Sequence, residues 1–464
     1  MATVRRRAVL GSRPPSAGLR HPYSRPDHLS LLKTDSWAAS TKPEEFIYYS
    51  DSDEDLDGAD AGEKYDTTSR SFVDYHVAHQ SGLEHFNQLS LSKEHATKHL
   101  LSYSMMRERT IPMNNYNKVF CSAWLSDNQV VFGTKCNKIL VYNLRTRRID
   151  NIPMLLSNSP LPEMEVTGGV YALSLNPSRT LMATGARNCC DLAVYKLPTL
   201  DPVCVGENGH RDWIYDTAWL DDQYVATGGR DTSVTLWHVP DESDATDDPE
   251  APPSYQHVGP VATKSCKTAD KVRSLAFNHR DQSLVALSLN AYVHLFDAVS
   301  FKQKLSRKLP HSMDNVCLAL GDNCKMYAVG SKSHTTILDP KSLKVLKKIT
   351  AKYHGCGIRS LSFNGDILTI GTGNSVLMFY DLRAQKYLDS GVSSGRAVVF
   401  KATSGWVSPR QAADESLFHE GGVAQVDHTP AIYTHCYDAS GTRLFTAGGP
   451  LNVDVRGCYA GLWM

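Results

Sequence analysis

The chain has 464 residues, and its 49 Lys+Arg against 49 Asp+Glu leave a formal net charge of zero. That balance excludes bulk attraction to nucleic acid or an anionic membrane; no apolar run reaches bilayer length, and no signal-peptide core follows Arg5-Arg6-Arg7. The 11 cysteines are scattered without a pair of Cys-x-x-Cys motifs, so they read as small buried hydrophobes of a reducing cytoplasm or nucleus, not as metal ligands or disulfides.

Residues 1–80 carry almost no apolar periodicity, begin basic and turn acidic through Ser50-Asp-Ser-Asp-Glu-Asp-Leu-Asp. Such composition buries too little to offset chain entropy, and the segment reads as a disordered tail. Over 81–109 the pattern changes. Leu83, Phe86, Leu89, Leu91, Ala96, Leu100, Leu101 and Met105 fall near helical spacing with Ser92 as N-cap, which predicts a helical segment outside the main domain.

From 110 to 464 one phrase recurs seven times: a short apolar strand, a second strand ending at a turn glycine, and a third strand closing on an aromatic or apolar residue. The openings are Lys118-Val-Phe, Gly169-Val-Tyr, Trp213-Ile-Tyr, Lys271-Val-Arg, Asn315-Val-Cys, Gly357-Ile-Arg and Ala431-Ile-Tyr. Repeats of this length are propeller blades, so the fold class is all-β, a seven-bladed WD-repeat β-propeller. In the third copy His210, Thr227, Asp231 and Trp237 stand where a WD repeat forms its buried hydrogen-bond chain, which makes them structural and not a catalytic dyad. Two stretches, 240–269 and 384–428, interrupt the blades and read as flexible insertions, the second with Trp406 and Phe418 as anchors. The seventh copy lacks a fourth strand, which Thr110–Met113 is expected to supply, closing the ring.

In an antiparallel blade the start of the first strand and the turn between the second and third lie at one end. Lys118, Lys271, Arg273 and Arg359 occupy the first position; Lys135, Arg187, Arg230 and Lys332 occupy the second. Innermost strands line the central channel, so several of these cations should converge on one mouth, where they repel one another unless an anion binds. Arginine forks suit carboxylate or phosphate equally. At the other end, Tyr142-Asn143-Leu144-Arg145 and Tyr380-Asp381-Leu382-Arg383 resemble the Trp-Asp-x-Arg box by which WD-repeat receptors engage the adaptor of the cullin-4 ubiquitin ligase.

Longer phrases carry a closer resemblance: Gly133-Thr-Lys-Cys-Asn, Leu175-Asn-Pro-Ser-Arg-Thr-Leu, Leu197-Pro-Thr-Leu-Asp-Pro-Val-Cys-Val-Gly, Gly209-His-Arg-Asp-Trp-Ile, Tyr433-Thr-His-Cys-Tyr-Asp and Tyr459-Ala-Gly-Leu-Trp. From about 115 onward the chain resembles the damaged-DNA-binding-protein-1- and cullin-4-associated factor twelve family. The resemblance implies a substrate receptor with damaged-DNA-binding protein 1, and through it cullin-4, as partners. Its substrates would be proteins with acidic, Glu-Glu-type C-termini. Carried over by motif, the contacts are Lys118, Lys135, Arg230, Lys271, Arg273 and Arg359, with Arg145 and Arg383 on the adaptor side. The fourth turn departs from the family, reading Leu289-Asn-Ala. Cytoplasm and nucleus are the expected location, with the centrosome a further one. The alternative is a scaffold or phosphopeptide reader outside any ligase. No Gly-rich phosphate loop, metal-ligand spacing or Gly-x-Ser-x-Gly elbow occurs, so neither catalysis, a cofactor nor a metal is expected.

Overall fold

A computed structural model describes residue 80 and residues 93–113, 115–158, 168–240, 255–310, 315–352, 357–393, 395–408 and 429–464. The expected tail and the N-terminal part of the expected helix lie outside the described residues. Seven antiparallel sheets follow one another, and their innermost strands touch in sequence and back to the first, so the sheets form a ring of seven blades. The blade 1 strands run Val119–Ser126, Gln129–Thr134, Ile139–Asn143 and Arg148–Ile152, from the channel outward. No described helix is long and apolar enough to cross a membrane.

The second and third strands are buried nearly throughout, as in Gln129–Thr134 and Val376–Asp381, because a blade has neighbours on both faces. The core is correspondingly divided into seven apolar clusters, one at each blade–blade interface. Between blades 3 and 4, for example, Val234 and Leu236 meet Val272, Leu275 and Leu284.

The glycine that ends the second strand is not a turn residue. Gly228 lies within Tyr224–Gly229, and a Cβ there would come within 2.6 Å of Cγ1 of Val272 on blade 4. At Gly330 a Cβ would meet Cys317 Sγ of its own blade at 2.5 Å and Ile358 of blade 6 at 2.6 Å. At Gly228 and Gly330 the next blade's core Val or Ile packs against bare backbone.

Five outer strands come from the two stretches that read as flexible insertions. The insertion 240–269 contributes Ala262–Ser265 as the fourth strand of blade 3, while Gln256–Val258 adds a parallel fifth strand to blade 2. The insertion 384–428 contributes Lys386–Tyr387 and Val399–Lys401, which share the outer edge of Val376–Asp381. Its Trp406–Val407 pairs with Gly457 and Cys458, whereas Phe418 lies outside the described residues. In each case an open strand edge captured the nearest extended chain.

The predicted helix over 81–109 is shorter. It spans Lys93–Ser102, and Ser104, with a φ of 51°, turns the chain out of it. The following Glu108–Thr110 is a strand paired with Gly461–Trp463, two residues upstream of the expected closing segment Thr110–Met113. Ile111 and Met113 instead bury their side chains between blades 7 and 1, which fixes the register. The Glu108 carboxylate accepts the Tyr459 hydroxyl at 2.5 Å and the Thr403 N–H at 3.0 Å.

Because a methyl group at 228 must displace Val272, Gly228→Ala should destabilise the ring by about 1–3 kcal/mol through overpacking. Thermal melting checks this; a midpoint equal to wild type would mean that the close approach is not a constraint.

Candidate functional site

The mouth is built on one repeated irregularity. In blade 4, Val272 pairs with Ser288 and Ser274 with Leu287, so Arg273 is an extra residue bulged out of the ladder. The same register shift leaves Phe120, Tyr215, Arg359 and Tyr433 bulged on the innermost strands of blades 1, 3, 6 and 7. A bulge re-aims its side chain, and here all five residues line a cavity of about 260 Å³ in the central channel. Tyr171 also lines it, as does Cys317.

The ring is divided in two. Aromatic groups fill one arc: Phe120 stacks on Tyr171 at 4.6 Å, Tyr171 on Trp213 at 5.7 Å, and Tyr433 meets Phe120 edge-on at 5.3 Å. Arg273 and Arg359 flank Cys317 on the other arc, and the Arg273 guanidinium lies 4.2 Å from the Tyr215 ring centroid. The Nε atoms of both arginines are buried and have no hydrogen-bond partner.

Burial pushes the Tyr171 phenol and the Cys317 thiol up to about 12. It also raises Tyr433, against the opposing charges of Arg359 and Arg273. His435, buried and hydrogen-bonded to Ser360 Oγ at 2.8 Å and Ser362 Oγ at 2.7 Å, is lowered to about 4 by desolvation and stays neutral. The cationic side chains lining the cavity are therefore Arg273 and Arg359, and the one carboxyl among its lining residues is Asp216, which burial raises. Sequence reasoning, which followed the cations, passed over Asp216 and assigned no role to the aromatic arc. The signal for the aromatics was the position after each core Val or Ile, where Phe120, Tyr171, Tyr215 and Tyr433 recur.

The remaining sequence-predicted cations do not line this cavity. Lys118 is buried. Its ammonium donates to the carbonyls of Asn452 and Val453, the latter at 3.3 Å, and Lys135 reaches the same Val453 carbonyl at 3.1 Å. Desolvation, then the charge of Lys135, lowers the Lys118 pKa to about 8, with Asp454 opposing. Arg230 lies over the Trp213 ring at 5.0 Å, with Nε 3.6 Å from Asp212. Lys271 is half-buried, and its backbone carbonyl accepts the Leu289 N–H. The structure thus brings Arg273 and Arg359 together and leaves Lys118 and Lys135 as a second pair on blade 1.

The four WD-type residues of blade 3 form a continuous chain. His210 Nδ1 is 3.2 Å from Asp231, His210 Nε2 is 2.6 Å from Thr227 Oγ1, and the Trp237 indole donates to the same hydroxyl at 2.8 Å. Burial would raise the Asp231 carboxyl, but its bonds from His210, Ser233 and the Arg211 N–H outweigh that and hold it below the usual range. Blade 7 does the same without His or Asp: Trp463 donates to Thr446 Oγ1 at 3.0 Å.

At the opposite end of the ring Arg145 borders a cavity of about 330 Å³ with Arg109, Tyr142, Leu144 and Arg443. Arg383 is exposed. Beside it, Lys98 of the helix pairs with Asp381 at 2.7 Å, and Thr97 donates to the Gly441 carbonyl at 2.7 Å. Ala96, Leu100 and Leu101 are buried, so the apolar side of the helix is spent on blades 6 and 7, and His95 and Lys98 face outward.

Residues 103–464 fit the family model described as the DDB1- and CUL4-associated factor 12 beta propeller.

Proposed function

The chain belongs to the DDB1- and CUL4-associated factor 12 β-propeller family, and on that premise we propose that it is a non-catalytic substrate receptor of a cullin-4 ubiquitin ligase. It holds proteins by an acidic C-terminus in the channel mouth and meets the adaptor, damaged-DNA-binding protein 1, at the opposite end. The observation that carries the peptide half of this reading is the pair of half-buried arginines whose buried Nε atoms have no partner. A buried charged donor left unpaired is costly, and a ligand bearing two or more carboxylates would relieve both. The cavity is at the small end for a ligand pocket and suits a chain terminus better than a peptide passing through. Lys118 and Lys135 lie on blade 1, where they could meet further acidic groups of the same ligand. The adaptor half rests on family membership, with Arg145, Arg383 and the exposed face of the Lys93–Ser102 helix as its candidate contacts.

Titration of labelled peptides ending in Glu-Glu against the purified protein tests the reading. Arg273→Ala and Arg359→Ala should each weaken binding by about 2–5 kcal/mol, roughly 30- to several-thousand-fold, because a carboxylate is left desolvated without its partner. Amidating the terminal carboxylate should weaken it as well. Equal affinity for free and amidated peptides would refute the C-terminal reading, and preference for an internal phosphate would favour the phosphopeptide reader instead.

The pH dependence has a defined sign. Lys118 carries its proton below a pKa of about 8 and loses it above, so affinity for an acidic peptide should fall between pH 7 and 9. Lys118→Met should bind more weakly at pH 7 and show a flatter profile, measured by the same titration. An unaltered profile in Lys118→Met would remove Lys118 from the site.

On the adaptor side, replacing Arg145 and Arg383 together by alanine should reduce co-purification of damaged-DNA-binding protein 1 while peptide affinity is kept. Undiminished recovery of the adaptor would show that these arginines are not its contacts.

A further inference from the structure

Arg273 lines the cavity and its buried Nε donates no hydrogen bond, so its orientation depends on what packs around it. Two residues of blade 3 touch the strand that carries it. Tyr215 lies under the guanidinium, 4.2 Å from ring centroid to Cζ. The next residue, Asp216, reaches across the interface: its Oδ2 accepts the Ser274 hydroxyl at 2.7 Å and the Leu275 N–H at 2.8 Å, while Oδ1 accepts its own neighbour's N–H, Thr217, at 2.9 Å. Ser274 and Leu275 are the two residues immediately after the bulged Arg273.

Other inner strands are tied at this level by neutral groups. Ser122 meets Thr434 at 2.8 Å, Ser174 meets Thr217 at 2.7 Å, and Ser360 donates to the Ile432 carbonyl at 2.9 Å. A carboxylate is an odd choice beside an anion site, since it opposes the ligand's charge. It nevertheless accepts from three donors at once, the Ser274 hydroxyl and the N–H groups of Leu275 and Thr217, which the single contacts of the other strands do not match. A bulge interrupts the ladder and leaves the strand locally under-determined; two strong bonds just beyond it restore a single backbone position. Asp216 and Arg273 form no ion pair with each other, so the carboxylate acts on the strand and leaves the guanidinium open to a ligand.

We propose that Asp216 is a positioning residue of the anion site, fixing the bulged strand of blade 4 so that Arg273 points at the bound carboxylate. This rests on the acidic-C-terminus reading and goes further by naming what orients its central arginine. Burial raises the Asp216 carboxyl, with the bonds from Ser274, Leu275 and Thr217 and the charge of Arg273 opposing; the clamp itself is the set of three donors that its two oxygens accept.

The test is a double-mutant cycle on the full chain, read by titration with a Glu-Glu-terminated peptide well below the melting midpoint of every variant. Asp216→Ala should weaken binding about tenfold in the wild-type background and have almost no effect in Arg273→Ala, because coupled residues are non-additive. Asp216→Asn, which keeps one oxygen for Ser274 and Leu275, should recover much of the loss. If Asp216→Ala fails to fold, Ser274→Ala removes one of the two bonds and should show the same dependence on Arg273 at smaller size. The proposal is overturned if the variants bind as tightly as wild type or tighter, which would make Asp216 only a repelling charge. It is also overturned if their losses are equal with and without Arg273, which would make it a general structural residue. In either case loss of binding in Arg359→Ala would leave the parent reading intact, whereas no binding by wild type would end both.

Discussion

No blade of this protein can bury itself. Each sheet has two apolar faces, and each face is covered chiefly by the blade beside it, so the seven interfaces stand or fall as a ring. The bare backbone at Gly228 and Gly330 is one consequence, since the core side chain of one blade needs the second strand of the previous blade to be without a Cβ. The central channel is another. Packing twisted sheets edge-inward leaves an axial space whose lining is set by the innermost strands alone. Whatever the protein does in that space must be done by residues those strands can spare from holding the ring.

The bulges resolve this conflict. A regular strand alternates its side chains between the two blade interfaces, with none directed along the channel mouth. One extra residue on five of the seven inner strands supplies that direction while the core Val or Ile before it, such as Val272 or Ile358, keeps its place in the interface. The mouth is therefore a place where residue type can vary without cost to the ring: Phe120, Tyr215 and Tyr433 on one arc, Arg273 and Arg359 on the other. The aromatic arc has a rigid, apolar character and the cationic arc a fixed positive one. Together they favour a ligand that is charged on one side and offers a hydrocarbon stem on the other.

What could be read in the sequence followed from local repetition. The inner strands, the buried second and third strands, and the polar chain from Asp231 to Trp237 all recur within forty or so residues and leave a pattern. Outer strands do not. Ala262–Ser265 is largely exposed and polar, and it is separated from blade 3 by an acidic, proline-rich stretch, so nothing local marks it as a strand. The closing strand Glu108–Thr110 is made by its partner on blade 7 and carries no strand signal of its own. The glycines were visible but their reason was not, because it lies in the adjacent blade. Lys118 was legible as a mouth cation, yet its burial against the Asn452 and Val453 carbonyls depends on a turn more than three hundred residues away. Asp216 was hidden for the same reason: its partners, Ser274 and Leu275, belong to the next repeat.

The closure of the ring has a kinetic side. Glu108 and Tyr459, joined by a hydrogen bond in the closing sheet, are 351 positions apart, and contacts of such separation form late because the chain between them must be ordered first. Until then the strand Gly457–Trp463 is open along its outer edge, except where Trp406–Val407 pairs with Gly457 and Cys458. It contains no charge and no proline, and all seven of its residues are buried once the ring is shut, which is the profile of a segment that templates association between chains. For this protein the hazardous species is the nearly finished ring, and its lifetime is set by how quickly a three-residue strand from before the first blade finds the last one.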